Sequence, residues 1–244
     1  MFTGLFFLIA LVSEVVGTVA GFGSSVFFVP LASFFFDFHQ VLALTSILHV
    51  FSNTAKLVLF GKHVSLRLLL LLGVPSLIGV IIGAVLSTRL TFKFDELILG
   101  LFLIALSLFL FGTPAAKIGA TTFNAVGAGG AAGFLAGLIG TGGALRGLAL
   151  AAFDLEKDVF VATSAGIDSG VDLSRMIIYL RSGYLVPSSL IYVVGLLVIA
   201  FAGSYLGKLA LGRIDQKYFR KIVLGFVFVI GLVTLGRALN ELIR

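Results

Sequence analysis

The chain has 244 residues, of which 59% are apolar and 11% charged, and its formal net charge is +6. Soluble domains carry about 25% charged residues, so this composition excludes an ordinary soluble protein. The absence of cysteine from the sequence excludes disulfides, iron–sulfur clusters and thiol chemistry. Charge-free runs at residues 15–36, 68–88, 97–116, 118–145 and 182–207 each reach the length of about 20 residues that crosses a bilayer as a helix. The sequence therefore predicts an all-α, polytopic membrane protein.

Eight apolar elements follow one another along the chain, in two groups of four. The first group covers residues 2–36, 41–60, 66–87 and 96–112, and the second covers residues 123–153, 159–180, 187–208 and 219–239. The first element of each group is interrupted by a Gly-rich segment, at residues 21–25 and at residues 140–143. We predict about eight transmembrane segments from this order.

Residues in the two groups match at a nearly constant offset of 118 to 120 positions. The matched pairs are Gly17 with Gly137, Gly23 with Gly143, Thr45 with Thr163, Asn53 with Asp172, Lys56 with Arg175, Gly83 with Gly203 and Asp95 with Asp215. Matches that keep the same order along both halves favour a duplicated unit. We predict two homologous repeats of four segments, an N-terminal repeat at residues 1–115 and a C-terminal repeat at residues 116–244.

The basic residues between the elements leave two arrangements open. If all eight elements span the membrane, six Lys and Arg lie on the side of the termini and eight on the other. If the two interrupted elements are hairpins that enter and return, five lie on the side of the termini and nine on the other: Lys62, Arg67, Lys117, Lys157, Lys208, Arg213, Lys217, Arg220 and Lys221. The hairpin arrangement fits the positive-inside rule better and makes the repeats inverted. Both arrangements place the loop 208–221 in the cytoplasm and the C-terminus outside.

The two Gly-rich breaks are the strongest candidates for a binding site. A helix that restarts after a break presents free N–H groups and a positive dipole end, which suit an anion. Paired breaks in two halves of a chain are typical of transporter sites near the bilayer midplane. The candidate ligands at the breaks are Gly23, Ser24, Ser25, Thr141, Gly142 and Gly143. The alternative is close helix packing, which the spacing of Gly129, Gly133 and Gly137 also suits.

Charged residues within apolar segments are costly and often functional. Lys56 and Arg175 occupy matching positions, so we expect them to face the two breaks as substrate-binding cations, with Asn53 beside them. For Arg175 an ion pair with Asp172, three residues earlier on the same helix, is an equal alternative. Glu14, Arg146, Asp168 and Asp172 are candidates for gating or for coupling to protons, and an ion pair with Lys56 is an alternative for Glu14. A lone intramembrane histidine such as His49 is interpreted as a packing residue.

No metal-ligand or catalytic spacing is found in the sequence, so the interpretation includes no metal, no cofactor and no enzymatic activity. The net positive charge belongs mostly to loops, where it sets topology and gives no reason to expect nucleic acid. The partners that we expect are a small anion, the lipid bilayer and protons as a candidate coupling ion.

The chain resembles the TauE/SafE family of membrane permeases, the sulfite exporter family, in the order of its motifs. In the first half these are Gly17-x-x-x-Gly21-Phe22-Gly23, Pro30-Leu31 and Ala43-x-Thr45-Ser46 leading to Asn53 and Lys56. In the second half they are Gly133-x-x-x-Gly137-x-x-Gly140-x-Gly142-Gly143, Ala162-Thr163-Ser164 and Arg175. The resemblance implies a duplicated secondary carrier for small sulfur-containing anions such as sulfite, thiosulfate or organosulfonates. Ser24, Ser25, Ala144 and Arg146 depart from the family pattern.

Together, the residues and the resemblance predict a transporter in the cell (inner) membrane that exports such an anion by alternating access. Its site would lie at the midplane between the repeats. The alternatives are an anion channel, an importer of a related organic anion, and a membrane-embedded enzyme or accessory subunit.

Overall fold

In a computed structural model of the chain, residues 2–20, 23–90, 92–112, 120–211 and 216–243 are described. Every regular element within these ranges is helical, which confirms the all-α prediction. The α-helices are α1 (Phe2–Ala20), α2 (Ser25–Ala32), α3 (Phe38–Phe60), α4 (Leu66–Ser87), α5 (Phe92–Gly112), α6 (Thr122–Ile139), α7 (Gly143–Ala151), α8 (Lys157–Arg181), α9 (Leu190–Leu211) and α10 (Gln216–Ile243). Parts of the predicted features lie outside the described residues: positions 21–22 of the first break, Asp215 and the centre of the loop 208–221, and most of the segment between the predicted repeats.

The molecule is a multi-pass membrane protein by the length and composition of its helices. Six described segments are long and apolar enough to cross a bilayer: Phe38–His63, Leu66–Ser87, Phe94–Gly112, Thr122–Ile139, Pro187–Ala210 and Lys221–Leu242. Helix α8 has 25 residues but carries buried charges, and the apolar part of α1 is shorter, at Thr3–Val19. Large apolar side chains such as Ile191 and Val198 are more than half exposed, as a lipid-facing surface requires. The number of eight spans stays a prediction.

The first Gly-rich break is a hairpin in which α2 runs back along α1. Gly23 has a positive φ of +79°, a conformation that glycine adopts without strain. A methyl group on Gly17 would overlap the backbone of Ser24, so the two arms touch near the tip. At the other end of the hairpin, the rings of Phe6 and Phe36 are 5.2 Å apart. The chain therefore returns to the level at which α1 began.

The second break is also a hairpin, formed by α6 and α7. Helix α6 ends at Ile139 and is capped by Gly140, whose φ of +77° places it in the left-handed conformation common at helix C-termini. A methyl group on Gly142 would overlap the carbonyl of Ala132, eight residues before the turn. Helix α7 therefore starts back along the path by which α6 arrived.

Glycines bring two helix pairs into close parallel contact. Positions along α6 face positions along α4 in the same order: Gly129 faces Leu72, Gly133 faces Ser76 and Gly137 faces Val80. In the second pair, Gly195 and Gly207 of α9 face Phe7 and Thr18 of α1. The packing alternative for the glycines of α6 is therefore confirmed. Helix α3 packs mainly against α8, and α5 against α10.

Contacts between remote helix ends define two ends of the bundle. At the end where α3 begins, here called the His39 end, His39 contacts Asp95 and Tyr184, and Arg237 donates to the carbonyl of Ser33. At the end where α3 finishes, here called the Phe60 end, Lys208 lies over the ring of Phe60 and the N–H of Ser65 donates to Thr163. If both interrupted elements spanned a membrane, Arg237 and Ser33 would lie on opposite sides. These contacts agree with the hairpin arrangement instead.

Candidate functional site

The tips of the two hairpins meet inside the bundle. A methyl group on Gly23 would lie 3.9 Å from Cα of Gly143, and the hydroxyl of Ser25 donates to Oγ1 of Thr141 at 3.3 Å. Ser25 and Gly143 are the first residues of α2 and α7, so the N-termini of both short helices point into the same region. The first N–H groups of a helix have no partner within the helix. Two such ends together make a region that favours negative charge.

A cavity of about 30 Å³ lies between these helix starts and the facing sides of α3 and α8. Its lining includes Gly23, Ser24, Ser25, His49, Asn53, Lys56, Gly140, Gly142, Gly143, Arg146, Asp168, Asp172 and Arg175. The two remaining residues predicted from the sequence contact this set, since Thr141 bonds Ser25, and Glu14 bonds Ser24 and Lys56. The structure thus brings all thirteen predicted site residues into one cluster.

A second cavity of about 50 Å³ adjoins the first on the side of the Phe60 end. It shares Gly23, Asn53, Lys56, Arg146 and Asp168 with the first and extends to Phe160 and Val161. These last two residues lie in the first two turns of α8, which starts at the Phe60 end. The polar region therefore reaches toward that end of the bundle.

Lys56 is paired with the fully buried carboxylate of Glu14. Its Nζ lies 2.8 Å from Oε1 of Glu14. The same carboxylate accepts hydrogen bonds from Ser24, at 2.6 Å, and from Ser52. Glu14 thereby connects α1, α3 and the start of α2.

Arg175 is paired with Asp172 and also holds the tip of the second hairpin. Its Nε donates to Oδ1 of Asp172 at 2.7 Å, and its Nη1 donates to the carbonyl of Gly140 at 2.9 Å. Asn53 donates to the other oxygen of Asp172 at 2.7 Å. The two residues matched by an offset of 119 in the sequence, Asn53 and Asp172, are therefore direct partners across the α3–α8 contact.

Arg146 and Asp168 form the third ion pair, in which Arg146 is buried and Asp168 is partly exposed. Nη1 of Arg146 lies 2.5 Å from Oδ1 of Asp168, and Ser164 lies within hydrogen-bond distance of both. Both residues line both cavities, so this pair lies where the two cavities adjoin.

Among the described lining residues, every cation therefore has a carboxylate partner. Lys56 and Arg175 were expected as cations facing the breaks, and they do face them, but neither is an unpaired charge. An unpaired charge inside a membrane protein is strongly unfavourable, which explains the pairing. For Arg175, the ion pair that the sequence left as an alternative is present.

His49 is the site residue that the sequence analysis missed. Its Nε2 lies 2.8 Å from Oγ of Ser24, and its Nδ1 lies 3.2 Å from Nη2 of Arg175 and 3.6 Å from Oδ2 of Asp172. It thus connects the tip of the first hairpin to the ion pair of α8. The repeat contained a signal that points to His49. The offset of 119 that matches Asn53 with Asp172 also matches His49 with Asp168, which is one of the predicted site residues.

Aromatic side chains close the bundle between the cavity and the His39 end. The rings of His39 and Tyr184 stack at 4.2 Å, and those of Tyr184 and Tyr179 stack at 5.3 Å. The hydroxyl of Tyr179 donates to the carbonyl of Gly137 at 2.5 Å. Tyr179 lies one turn after Arg175, so this stack is adjacent to the cavity.

The described residues contain no group of three or more His, Asp or Glu side chains placed to hold a metal ion. The chemistry that this site offers is hydrogen bonding and charge.

The fold and the site define a polytopic helical membrane protein with a buried polar cavity between two hairpin tips, as expected of a transporter. A sequence model of the Sulfite exporter TauE/SafE family matches residues 5–234 of the chain. The chain therefore belongs to the TauE/SafE family of membrane transporters, and the resemblance seen in its motifs is confirmed. No curated protein and no solved structure matches it.

Proposed function

We propose that this transporter is a secondary carrier that exports a small sulfur-containing oxyanion, such as sulfite, thiosulfate or an organosulfonate, by alternating access. The observation that carries the proposal is the convergence of the starts of α2 and α7 on a buried cavity that also contains Lys56, Arg146 and Arg175. Helix N-termini and guanidinium groups both recognise oxyanions. The family relationship supports the same class of substrate.

In the proposed topology, α3, α4, α5, α8, α9 and α10 cross the membrane, and the two hairpins enter and return. The hairpins enter from opposite sides, so residues 1–115 and 116–244 are inverted repeats. The packing supports this relation, because α1 lies along α9 as α6 lies along α4, and α3 faces α8. We assign the Phe60 end, with the loop 208–221, to the cytoplasm and the C-terminus to the outside, because nine of the fourteen Lys and Arg between the elements fall on that side in the hairpin arrangement.

The anion binds where the two helix starts meet, and it competes with carboxylates for the cations. Lys56 and Arg175 turn part of their hydrogen bonding from Glu14 and Asp172 to the substrate. The hydroxyls of Ser25 and Thr141 lie at the junction and donate to it. A site whose cations are already neutralised binds weakly enough to release its substrate, which a carrier requires.

In the proposed cycle, the form described here faces the cytoplasm, and it alternates with a second form that faces outside. In the present form the polar cavities extend toward the Phe60 end, and the stack of His39, Tyr184 and Tyr179 closes the opposite end. Movement of one repeat against the other opens that stack while the region of Arg146 and Asp168 closes.

Flux into liposomes tests the proposal. Proteoliposomes loaded with unlabelled thiosulfate are expected to take up labelled thiosulfate by exchange, and sulfite and methanesulfonate are expected to compete where chloride and acetate do not.

The double variant Ser25→Ala with Thr141→Val removes both hydroxyls at the junction and is expected to lower exchange. Thr54→Ala, which removes an exposed hydroxyl of α3, is the matched control. Absence of exchange with every sulfur anion, in protein that remains folded, contradicts the proposal. Single-channel currents would instead indicate an anion channel.

A further inference from the structure

We propose that His49 is the proton-binding group of this transporter, and that it takes up one proton when a monovalent anion binds. The inference rests on the proposed anion site. It differs from the sequence-based expectation, which placed proton coupling on Glu14, Asp168 or Asp172.

The hydrogen bonds around His49 define two protonation states with different partners. With a proton on Nε2 alone, the ring donates to Ser24, which donates to Glu14, while Nδ1 accepts from Nη2 of Arg175. With a second proton, Nδ1 can no longer accept from Arg175, because both groups are then donors. The N–H of Nδ1 faces the Asp172 carboxylate instead, at 3.6 Å. Protonation therefore releases one N–H of Arg175 to the cavity, where an anion can accept from it.

The charges that face His49 explain why a proton and an anion stabilise each other. They come from four of the helices around the cavity: Glu14 of α1, Lys56 of α3, Arg146 of α7, and Asp168, Asp172 and Arg175 of α8. The lining residues of α2 and α6, Ser25 and Ala136, carry no charge. The three cations cancel the three carboxylates. A monovalent anion added to this set with neutral His49 leaves one uncompensated negative charge, which is costly in a buried site. An imidazolium at His49 removes that excess.

The carboxylates are less suitable for the same role. Each of them already has a cationic partner, at 2.8 Å for Glu14, 2.7 Å for Asp172 and 2.5 Å for Asp168. Protonating any one of them leaves its cation unpaired. Imidazole also changes charge near neutral pH more readily than other side chains do. His49 is therefore the group that can add a positive charge without breaking an ion pair.

The consequence concerns the charge moved in each cycle. A monovalent anion that leaves the cell with a proton carries no net charge. The membrane potential then contributes nothing to its export, and the anion and proton gradients together set the direction. The proton comes from cytoplasmic water and returns to water on the other side.

The test compares anion binding across pH in the wild type, His49→Gln and His63→Gln. Methanesulfonate, a monovalent anion, is the probe of proton uptake, and thiosulfate, a divalent anion, tests only whether the anion site binds. Both keep their charge between about pH 5.5 and 8.5, the range in which histidines titrate. Sulfite is unsuitable, since it changes its own protonation there. Gln at position 49 can donate to Ser24 and accept from Arg175 but cannot gain a charge, and His63 is an exposed histidine outside both cavities.

By proton linkage, the wild-type affinity for methanesulfonate is expected to fall by about tenfold per pH unit on the alkaline side of the titration, and His63→Gln should behave identically. The affinity of His49→Gln should change by less than about twofold over the whole range. If His49→Gln keeps the wild-type pH dependence, His49 is not the proton site, although the anion carrier still stands.

A second measurement needs no variant. Calorimetric titration of the wild type with methanesulfonate, at a pH where its affinity falls with rising pH and in two buffers of different ionisation enthalpy, gives the number of protons taken up per anion. A value near one supports the inference, and a value near zero overturns it while leaving the binding itself intact. If the wild type binds neither probe at any pH, the proposed anion site fails as well.

Discussion

At the scale of single residues, the cavity is organised by three ion pairs, two of which join different helices. Lys56 of α3 meets Glu14 of α1, and Arg146 of α7 meets Asp168 of α8. Each of these two pairs ties a hairpin to a neighbouring helix, so the same residues that can bind substrate also hold the site together. A simple loss of function after substitution would therefore leave both roles open.

Removing Lys56 alone is expected to destabilise the protein strongly. Lys56→Met leaves Glu14 charged and fully buried without its cation, and breaking such a pair costs about 3–5 kcal/mol. The double variant Lys56→Met with Glu14→Gln removes both charges, so it should recover most of the lost stability. Thermal unfolding of the purified protein in detergent measures this difference.

The double variant also separates packing from binding. If Lys56 contacts the anion, Lys56→Met with Glu14→Gln should be folded yet show no thermal stabilisation by thiosulfate, whereas the wild type is stabilised by mass action. Equal stabilisation of the two proteins would show that Lys56 is not a ligand.

The sequence predicted most members of this site but left their pairing open. The Asp172–Arg175 pair is an alternative that follows from a spacing of three on one helix face. The Glu14–Lys56 pair is also among the alternatives, but its residues are 42 positions apart and no periodicity within one helix relates them, so only the fold decides it. The position of His49 depends on Ser24 and Arg175, which reach it from two other helices, so its role followed only from the fold.

At the scale of elements, helix α6 depends on glycine for its contact with α4. The carbonyl of Ser76 lies where a side chain at position 133 would begin. Position 127 of the same helix has no atom within 4 Å of an added methyl group. Two glycines on one helix thus differ only in what they face.

Gly133→Ala is accordingly expected to destabilise the protein, and Gly127→Ala to be neutral or slightly stabilising. Alanine stabilises a helix by about 1 kcal/mol relative to glycine, so the control variant Gly127→Ala should gain helix stability. At position 133 the backbones of α4 and α6 must separate, and the loss of packing outweighs that gain. The melting temperatures of the two variants measure the contrast. Equal values would show that close approach at Gly133 contributes nothing.

At the tip of the second hairpin, the effect of backbone strain can be separated from that of steric overlap by comparing Gly140 with Gly183. Gly140 and Gly183 both have a positive φ, of +77° and +75°. Alanine at position 183 meets no atom within 4 Å, so it should cost only the strain of the left-handed conformation, about 1–2 kcal/mol. Alanine at position 140 would also lie 2.6 Å from the side chain of Leu42 and beside Arg175.

Gly140→Ala should therefore destabilise more than Gly183→Ala and should also weaken thiosulfate binding, because it displaces the tip that Arg175 holds. Thermal unfolding with and without thiosulfate measures both effects. If the two variants lose the same stability and Gly140→Ala binds normally, the tip of the second hairpin is not part of the site.

At the scale of the whole molecule, the sequence predicted where the interrupted elements break but not which way they continue. The helix ends at Ala20 and Ile139 follow from clusters of glycine, which are visible in the sequence. The direction of α2 and α7 depends on contacts such as Phe6 with Phe36, and neither composition nor periodicity records them. The counts of basic residues differ too little between the two arrangements to decide alone.

Labelling of single cysteines tests the proposed topology directly, because the natural sequence has no cysteine to react in the background. Four exposed positions discriminate: His63, Arg89, Glu156 and Ser188. If the hairpins return, cysteines at positions 89 and 188 face outside and those at positions 63 and 156 face the cytoplasm. If both interrupted elements span, position 89 shares a side with position 156, and position 63 shares a side with position 188.

In intact cells, a membrane-impermeant maleimide should therefore react with Arg89→Cys and Ser188→Cys, while His63→Cys and Glu156→Cys should react only after the membrane is opened. Reaction of all four after opening is the control for accessibility.

The two arrangements differ in which positions are labelled together, so the result does not depend on knowing the orientation beforehand. Joint labelling of positions 89 and 156 would rule out the returning hairpins, and with them the inverted relation of the repeats. Joint labelling of positions 89 and 188 would place the polar cavities on the cytoplasmic side, as export from the cell requires of the form that accepts substrate.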